Sequence, residues 1–394
     1  SLLYRFPPLK AGSVSGVIEI HGMRMAVNDL RRRIGNPDQI AGVQLVQLDN
    51  GNERPGRAAI FRTGSGLEFT VLLDRGMDVS AASYQGKAMG WRSTVGDVAP
   101  QYFEAEGIRW LRSYYGGLVS TCGLINVGAP EPGSELSGHG LHGRINNIPA
   151  KDIKVTQEWR GDAYYLAVSG VMRETRIFGE NLTLTRTVWT RLGEKRFWVD
   201  DAVTNEGFAP TAFQLLYHCN IGWPAVDEGA ELVLPSRRFA PRDDEARDGA
   251  ARWNRFDAPT HGYREKVYYH DVAADRSGKA TAAILNPALA KGKDGFGVYI
   301  RYAPKELPRF TEWKQMGEQD YVVGLEPCTC GVEGRHVDEA MGLLHVLKPG
   351  KRHTVSLEVG ALSDSAEAKA IRKAAGAPPK MTDHYSAFVK KPGK

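Results

Sequence analysis

The chain arranges apolar and polar residues in short alternating runs rather than with a helical period. The clearest run is 182–190 (LTLTRTVWT), in which Leu and Val positions alternate with Thr and Arg positions. Such alternation is typical of a β-strand that buries one face and exposes the other to solvent. Similar runs, rich in β-branched and aromatic residues, occur at 43–48, 58–61, 67–73, 163–169, 197–205, 211–220, 297–302, 321–326 and 353–360. Together they predict an all-β protein, a large antiparallel assembly with few helices.

Helices are predicted in only three places, 26–34, 103–113 and 364–375. The last has a plausible cap at Asp364 or Ser365 and ends at Gly376. Asn50-Gly51 is a turn signal that predicts a hairpin after the first strand.

The change in residue pattern along the sequence predicts three parts of the chain. Residues 1–39 form an N-terminal extension, 40–362 form one β domain without an interior linker or repeat, and 363–394 form a C-terminal helix and tail. A chain of 394 residues is long enough for one large domain of this kind.

Composition excludes some classes of function. The net charge of +5 is small for the length, and no basic stripe is interleaved with aromatic residues, so a nucleic-acid partner is not expected. No run of 18 apolar residues occurs, so no membrane span is expected. The 4 cysteines are few and irregularly spaced, which favours a reducing compartment, and we expect a cytoplasmic protein.

Two Gly-rich segments carry candidate binding residues. In 73–79 (LDRGMDV), Arg75 and Asp78 flank Gly76, and an Arg at such a turn can donate paired hydrogen bonds to sugar hydroxyls or a carboxylate. The alternative is that the two side chains only stabilise the turn. In 138–147 (GHGLHGRINN), His142 lies between glycines that let a ligand approach the backbone, whereas nothing converges on His139.

Two strands end in polar residues after apolar stretches. Gln214, Leu216, His218 and Asn220 share one strand face, and a polar pair at its end favours a pocket unless it has partners in the core. Glu326 follows the apolar run 321–325, where burial would raise its pKa and suit it to act as a base near neutral pH.

The segment 310–314 (FTEWK) supplies Trp313 and Lys314, with Trp91 as a possible companion. Indole faces stack on the apolar C–H faces of sugars, although tryptophan is more common in a core. Cys328 and Cys330 form a C-x-C pair without a second cluster, which is weak evidence for zinc.

The order of three motifs, LHG at 141–143, YHCN at 217–220 and GLEP at 324–327, resembles that of the aldose 1-epimerase, or galactose mutarotase, superfamily. The strings LDRGMDVSAASYQGKAMGW (73–91), GGLVSTCGLINVG (116–128), GLHGRINNIPA (140–150) and YVVGLEP (321–327) are similar to a bacterial branch known as DUF4432. The resemblance covers about residues 40–360.

The resemblance implies a large twisted antiparallel β-sandwich, the supersandwich of galactose mutarotase, with a sugar in a shallow cleft. It implies that His218 protonates the ring oxygen, that Glu326 removes the proton of the anomeric hydroxyl, and that His142 holds the sugar. It also puts Arg75 in the region of a substrate-binding Arg. Ring opening needs an acid and a base on opposite sides of one C–O unit, held with fixed geometry.

The sequence departs from the superfamily pattern at two motifs. Arg144 replaces the second Gly of the usual LHGG, and the second motif reads YHCNIG instead of a form containing Tyr-Phe-Asn. A positive charge beside His142 predicts an acidic or otherwise modified sugar rather than simple galactose. With Asp78, Asn220, Trp313 and Lys314, Arg144 completes the predicted substrate-binding set.

Three hypotheses follow, all with a small carbohydrate as partner and with a homo-oligomer left open. The favoured one is an isomerase that interconverts anomers without a cofactor. The second is a metal-assisted isomerase or lyase acting on a keto sugar or uronate, in which His142, His218 and Glu326 bind a divalent ion. The third is a sugar-binding protein without catalysis.

Overall fold

The computed structural model describes residues 16–131, 139–293, 295–389 and 391–392. Within these ranges the strands are β1 (Val17–Ile20), β2 (Met23–Ala26), β3 (Gly42–Gln47), β4 (Arg57–Arg62), β5 (Leu67–Leu72), β6 (Asp78–Tyr84), β7 (Lys87–Ala88), β8 (Ser120–Leu124), β9 (Lys151–Arg160), β10 (Ala163–Thr175), β11 (Asn181–Arg191), β12 (Arg196–Asn205), β13 (Thr211–Ile221), β14 (Glu231–Val233), β15 (Ser236–Pro241), β16 (Lys266–Val272), β17 (Ala280–Leu285), β18 (Gly297–Tyr302), β19 (Arg309–Met316), β20 (Tyr321–Cys328), β21 (His345–Leu347), β22 (Arg352–Leu362) and β23 (Lys380–Met381). The helices are α1 (Val27–Arg31), α2 (Asp244–Asp248), α3 (Pro287–Ala290), α4 (Arg335–Ala340) and α5 (Ser365–Ala375).

The strands form two large sheets and two smaller ones. One eight-stranded sheet has the order β14-β17-β18-β22-β12-β11-β10-β9. The other follows β21-β13-β20-β19-β16-β15-β23, with β8 paired to β13 off this path. A five-stranded sheet runs β3 to β7 in order, and β1 pairs with β2. The pairings are antiparallel except that of β15 with β23.

Strand β13 shows how the large sheets build the core. Its odd positions, among them Leu215, Tyr217 and Cys219, join the main apolar cluster together with Val188 and Leu357 of the facing sheet. The even positions point to the opposite face because side chains alternate along a strand. This second face of the sheet carries the cleft described below.

The predicted fold class is confirmed. All ten predicted strands are present, and the long alternating run 182–190 lies within β11. The helix predicted at 364–375 is α5, with the Asp364 carboxylate accepting a hydrogen bond from the Ala366 N–H. That cap satisfies a backbone donor that the first helical turn leaves unpaired.

Two predicted helices and one predicted turn were wrong in their length or type. The helix predicted at 26–34 is limited to α1, and the one predicted at 103–113 is a short 3-10 helix, Arg109–Ser113. Asn50-Gly51 does not make a two-residue hairpin turn, because a 3-10 helix, Gly51–Glu53, lengthens the connection between β3 and β4.

Both ends of the described chain pack on the β domain. Ile20 and Leu30 belong to the main apolar cluster, and Ala368 of α5 packs with Leu285 and Leu362. The domain boundaries at 39 and 362 stay predictions. None of the helices in the described ranges is both long enough and apolar enough to cross a bilayer.

Candidate active site

A cleft of about 590 Å³ opens on the second face of the β13-containing sheet. Its floor comes from alternate positions of three neighbouring strands, His218 of β13, Glu326 of β20, and Thr311 and Trp313 of β19. Loops between strands supply the walls. The period-2 alternation of paired strands therefore determines which side chains face the cleft.

His218 and Glu326 touch each other at the floor. The distance from His218 Nε2 to Glu326 Oε1 is 3.1 Å. Oε1 is buried and has no hydrogen-bond partner among the described residues, so this contact is close but not aligned as a hydrogen bond. Both residues are nearly covered, His218 being 5% and Glu326 2% exposed, yet both line the cleft. The two side chains predicted to act as acid and base therefore lie side by side on the floor of the cleft.

His142 reaches the same floor from the loop after β8. Its ring centroid is 5.7 Å from that of His218. The residue has a φ of 56°, and its Nδ1 accepts a hydrogen bond from the Gly128 N–H at 3.3 Å. A Cβ on the next residue, Gly143, would lie 2.4 Å from the Gly123 oxygen, so glycine is needed there for the backbones to approach.

A polar network lies behind His218. The Tyr114 hydroxyl donates to Asn220 Oδ1 at 2.9 Å and is 3.3 Å from His218 Nδ1. The Asn220 amide group donates to the carbonyl oxygens of Gly117 and His218, both at 3.0 Å. These contacts hold the imidazole from the side away from Glu326.

Aromatic rings form much of the cleft lining, namely Trp91, Trp110, Tyr114 and Trp313. Each indole N–H already has an acceptor: Trp91 donates to the Gln319 oxygen, Trp110 to Asn146 Oδ1 and Trp313 to Glu265 Oε2. Rings tethered in this way keep their orientation, and their faces suit the C–H face of a sugar.

Burial changes the protonation of the floor residues. It lowers the pKa of His218 to about 3, with a smaller contribution from His142, and it lowers the pKa of His142 to about 4. Burial also raises the pKa of Glu326 well above its ordinary value. The two imidazoles are therefore uncharged at neutral pH, and Glu326 is shifted toward its protonated form, because a low-dielectric surrounding disfavours charge.

Carboxylates outnumber cations around the cleft. Among the described residues, its lining includes Glu265, Asp320 and Glu333 as well as Glu326, against one arginine, Arg242, and no lysine. Arg242 is in ion pairs with Asp243 at 3.0 Å and with Glu265 at 2.9 Å. The local charge is thus opposite in sign to the net charge of +5 of the chain.

Arg75 and Asp78 do not line the cleft, contrary to the prediction. The buried Arg75 guanidinium donates to the carbonyl oxygens of three residues: Asn146, Val98 and Ser113. Asp78 is paired with Arg186 at 2.6 Å, deep between the sheets. At the turn itself the Asp78 N–H donates to the Arg75 carbonyl oxygen at 3.0 Å, and the Asp78 charge acts on the Arg75 guanidinium, so a role of the two residues in stabilising the turn stays a prediction.

Three more predicted binding residues lie elsewhere. Arg144 is exposed and has its guanidinium over the Phe103 ring, 5.8 Å from the centroid. Lys314 alternates with Trp313 on β19 and therefore points to the other face, where its Nζ donates to the carbonyl oxygens of Arg252 and Arg255. Asn220 lies one layer behind the cleft. Of the predicted set, the cleft brings together His142, His218, Glu326 and Trp313.

Sequence reasoning missed several residues of the cleft, including Trp110, Tyr114, Arg242, Glu265 and Glu333. The last three are charged loop residues with no local motif. Trp110 and Tyr114 lie in the stretch 110–114 (WLRSY). The cluster of aromatic residues in this stretch is the only feature of the sequence that could have indicated that they belong to the site.

The described residues contain no group of three or more His, Cys, Asp or Glu side chains placed to hold a metal ion. His142 Nδ1 is already engaged by a backbone N–H, and the Nε2 of His218 faces Glu326.

The four cysteines are free and buried. Cys328 donates to the backbone oxygen of Cys330 at 3.1 Å, which is a local contact of the C-x-C segment.

Comparison with known proteins gives a family and a fold. The family described as "Domain of unknown function (DUF4432)" matches residues 53–361. A crystal structure of a provisionally assigned aldose 1-epimerase from Klebsiella pneumoniae is similar at 25% identity and a TM-score of 0.81, covering 89% of this chain and 91% of that one. No curated protein matches the chain.

More distant structures share the fold. A galactose mutarotase-like protein from Clostridium acetobutylicum and a galactose 1-epimerase from Lactobacillus acidophilus each have 12% identity and a TM-score of 0.53. Each alignment covers 82% of this chain and 99% of the other. The chain therefore has the galactose mutarotase-like fold.

Proposed function

The chain belongs to the DUF4432 family of proteins, and on that premise we propose that it is an isomerase that interconverts the anomers of a free sugar. The membership agrees with the resemblance found in the sequence. The observation that carries the proposal is the convergence of His142, His218 and Glu326 on the floor of one cleft of about 590 Å³ with an aromatic lining.

The chemistry needs one proton acceptor and one proton donor. The ring opens when the anomeric hydroxyl loses its proton while the ring oxygen gains one, and the C1–O bond to the ring oxygen breaks to leave an open-chain carbonyl. Closure on the other face of that carbonyl gives the other anomer. His218 and Glu326 supply the two functions, and a fixed geometry makes such paired proton transfer effective.

His142 holds the sugar in this proposal. Because its Nδ1 accepts from the Gly128 N–H, the neutral imidazole carries its proton on Nε2. An N–H that points to the cleft can donate to a sugar oxygen. The Trp faces supply apolar contact, and their tethered N–H groups limit the loss of side-chain entropy on binding.

The charge of the cleft favours a neutral sugar over an acidic one. The prediction of an acidic substrate rested on the positive charge of Arg144, and that residue lies outside the cleft. The carboxylates of Glu265, Asp320 and Glu333 would repel a uronate or a sugar phosphate, and the charge of Arg242 is already compensated. Substrates with an uncharged polyol surface therefore fit the lining best.

Anomer exchange measured by NMR tests the proposal. Exchange between α and β signals should be accelerated for at least one neutral aldose in a panel of hexoses, pentoses, amino sugars and uronates. Replacing Glu326→Gln or His218→Gln should reduce the acceleration by about 100-fold or more, the range for removal of a general acid or base. Glu68→Gln, an exposed carboxylate on β5, is the control.

Two outcomes would reject this function. If no sugar in the panel that binds the protein exchanges faster, the sugar-binding alternative is preferred. If activity depends on a divalent ion found by elemental analysis and is lost on chelation, the metal-assisted alternative on a keto sugar or uronate is preferred.

A further inference from the structure

We propose that a second cavity, separated from the cleft by a shared wall, is a binding site for a small aromatic carboxylate. The cavity has a volume of about 340 Å³ and lies further along strands β16 and β19, which also border the cleft. Its lining includes Arg237, Tyr269, Arg309, Cys330, Tyr385 and Phe388. The proposal does not depend on the proposed function, because the two sites use different residues.

The segment 330–333 forms the wall between the cleft and the second cavity. Cys330 and Gly331 line the second cavity, whereas Val332 and Glu333 line the cleft. Tyr269 lines the second cavity, and its hydroxyl donates to Glu333 Oε1 across the wall. Among the described residues, none lines both the cleft and the second cavity.

The second cavity contains a buried hydrogen-bond donor without an acceptor. Arg309 is 8% exposed, and its Nη2 donates to the Leu343 carbonyl oxygen at 3.0 Å. Its Nη1 lies 3.4 Å from both carboxylate oxygens of Asp338. Its Nε has no hydrogen-bond partner among the described residues. A buried N–H without an acceptor costs free energy, and a ligand oxygen in the cavity would remove this cost.

The charge of the second cavity favours an anion. In the part of the chain that the structure describes, its lining contains Arg237, Lys305 and Arg309 against one carboxylate, Asp271. That carboxylate is shared, because Asp271 is paired with Arg237 at 2.7 Å and with Arg238 at 2.9 Å. The excess charge is therefore positive, opposite in sign to that of the cleft, and it attracts a negatively charged group.

Aromatic rings account for much of the remaining lining. The ring centroids of Tyr269 and Tyr385 lie 4.5 Å apart at an angle of 37°. Phe388 is held in place by Arg238, whose guanidinium lies 5.4 Å from its ring centroid. Rings of this kind favour a further ring in offset or tilted contact. Since an apolar cavity of about 150 Å³ holds benzene, the second cavity has room for a ring with a carboxylate.

Binding of 4-fluorobenzoate, followed by ¹⁹F NMR at pH 7, tests the ligand class. We expect saturable binding, and binding of the neutral 4-fluorobenzyl alcohol should be about 10-fold weaker or more, because hydrogen bonds to charged groups are stronger. Inorganic phosphate, which lacks the ring, should not displace the probe at equal concentration. Absence of binding, equal binding of the alcohol, or displacement by phosphate would overturn the proposal.

Variants test the residues that line the second cavity. Arg309→Lys keeps a positive charge but removes the Nε donor, and it should weaken binding of 4-fluorobenzoate by about 10-fold or more. Phe388→Ala should weaken it as well, whereas Phe208→Ala, at a position that is 99% exposed, should not. If Arg309→Lys does not fold, Phe388→Ala decides, and wild-type affinity in that variant would reject the site.

A crystal soaked with 4-bromobenzoate locates the ligand through the anomalous scattering of bromine. The carboxylate should lie within hydrogen-bond distance of Arg309 Nε, with the ring beside Tyr385. In solution, Trp313→Ala alters the cleft and should leave the affinity for 4-fluorobenzoate unchanged. Bromine in the cleft, or loss of binding in Trp313→Ala, would place the ligand in the cleft and overturn the proposal.

Discussion

Gly324 shows how a single position without a side chain shapes the floor of the cleft. It lies between Asn220 and Trp313 in the sheet, opposite each of them in register. A Cβ there would be 2.6 Å from Glu326 Oε1 and 3.1 Å from His218 Cε1. The space that the missing Cβ leaves is the space in which the His218 and Glu326 side chains meet.

Gly324→Ala is therefore expected to displace the Glu326 carboxyl group and reduce anomer exchange by about 10-fold or more, since a small misplacement of a catalytic group has such an effect. Thermal unfolding and NMR exchange should be measured together. Gly35→Ala, where an added Cβ meets nothing within 4 Å, is the control. Full activity in Gly324→Ala with an unshifted His218 signal would contradict this role.

At the scale of elements, strand β10 is tied to β8 through one buried carboxyl group. Glu174 Oε2 accepts a hydrogen bond from the Leu124 N–H at 2.8 Å, next to the Gly123–Gly143 contact that carries the His142 loop. Burial raises the pKa of Glu174 from 4.5 to about 7. The folded state thus binds a proton more tightly than the unfolded chain does.

That difference makes the stability depend on pH. Between about pH 4.5 and 7 the folded state holds the proton of Glu174 and the unfolded state has lost it, so the contribution of this residue to stability falls as pH rises. The full effect on the free energy of unfolding is on the order of 3 kcal/mol, because a tenfold change in proton affinity corresponds to about 1.4 kcal/mol.

Glu174→Gln removes the titration but can keep the acceptor for Leu124. Relative to the wild type, this variant should gain stability between pH 5 and pH 8, as measured by urea unfolding at each pH. Glu158→Gln on the exposed side of β9 should show no such gain. A constant difference between Glu174→Gln and wild type across this range would rule out the titration.

At the scale of the whole molecule, Arg186 joins three sheets. From β11 its guanidinium is paired with Asp78 of β6 and with Asp201 of β12, each at 2.6 Å. Tyr217 of β13 donates to the same Asp201 carboxylate. The two carboxylates and the arginine are almost fully covered, so the guanidinium is the positive charge that offsets part of the buried negative charge of Asp78 and Asp201.

Arg186→Met should destabilise the protein by about 3–5 kcal/mol or prevent folding, because it leaves two buried carboxylates without a cation. Denaturant unfolding measures the change. Arg173→Met, at an exposed position of the neighbouring strand β10, should change stability by about 0.5 kcal/mol or less. A loss for Arg186→Met no larger than that of the control would show that the network contributes little.

The strands and four cleft residues, His142, His218, Glu326 and Trp313, could be predicted without coordinates. Alternation assigned His218 and Asn220 to one face of β13, and the polar ends of two apolar strands indicated His218 and Glu326. These signals are local, because the pleat of a strand relates a residue only to its neighbours along the chain. The superfamily resemblance added the order of the motifs and the fold.

Only the tertiary structure decided which partner each polar side chain contacts. Arg75, Asp78 and Arg144 stand in Gly-rich motifs that suggest a ligand, yet their partners are protein carbonyls, a buried arginine and a phenyl ring. Tyr114 reaches His218 from 104 residues away in sequence. Such contacts depend on how sheets and loops pack. The sequence therefore predicted which side chains are able to bind a ligand or transfer a proton, and only the fold determined which of these side chains lie close together.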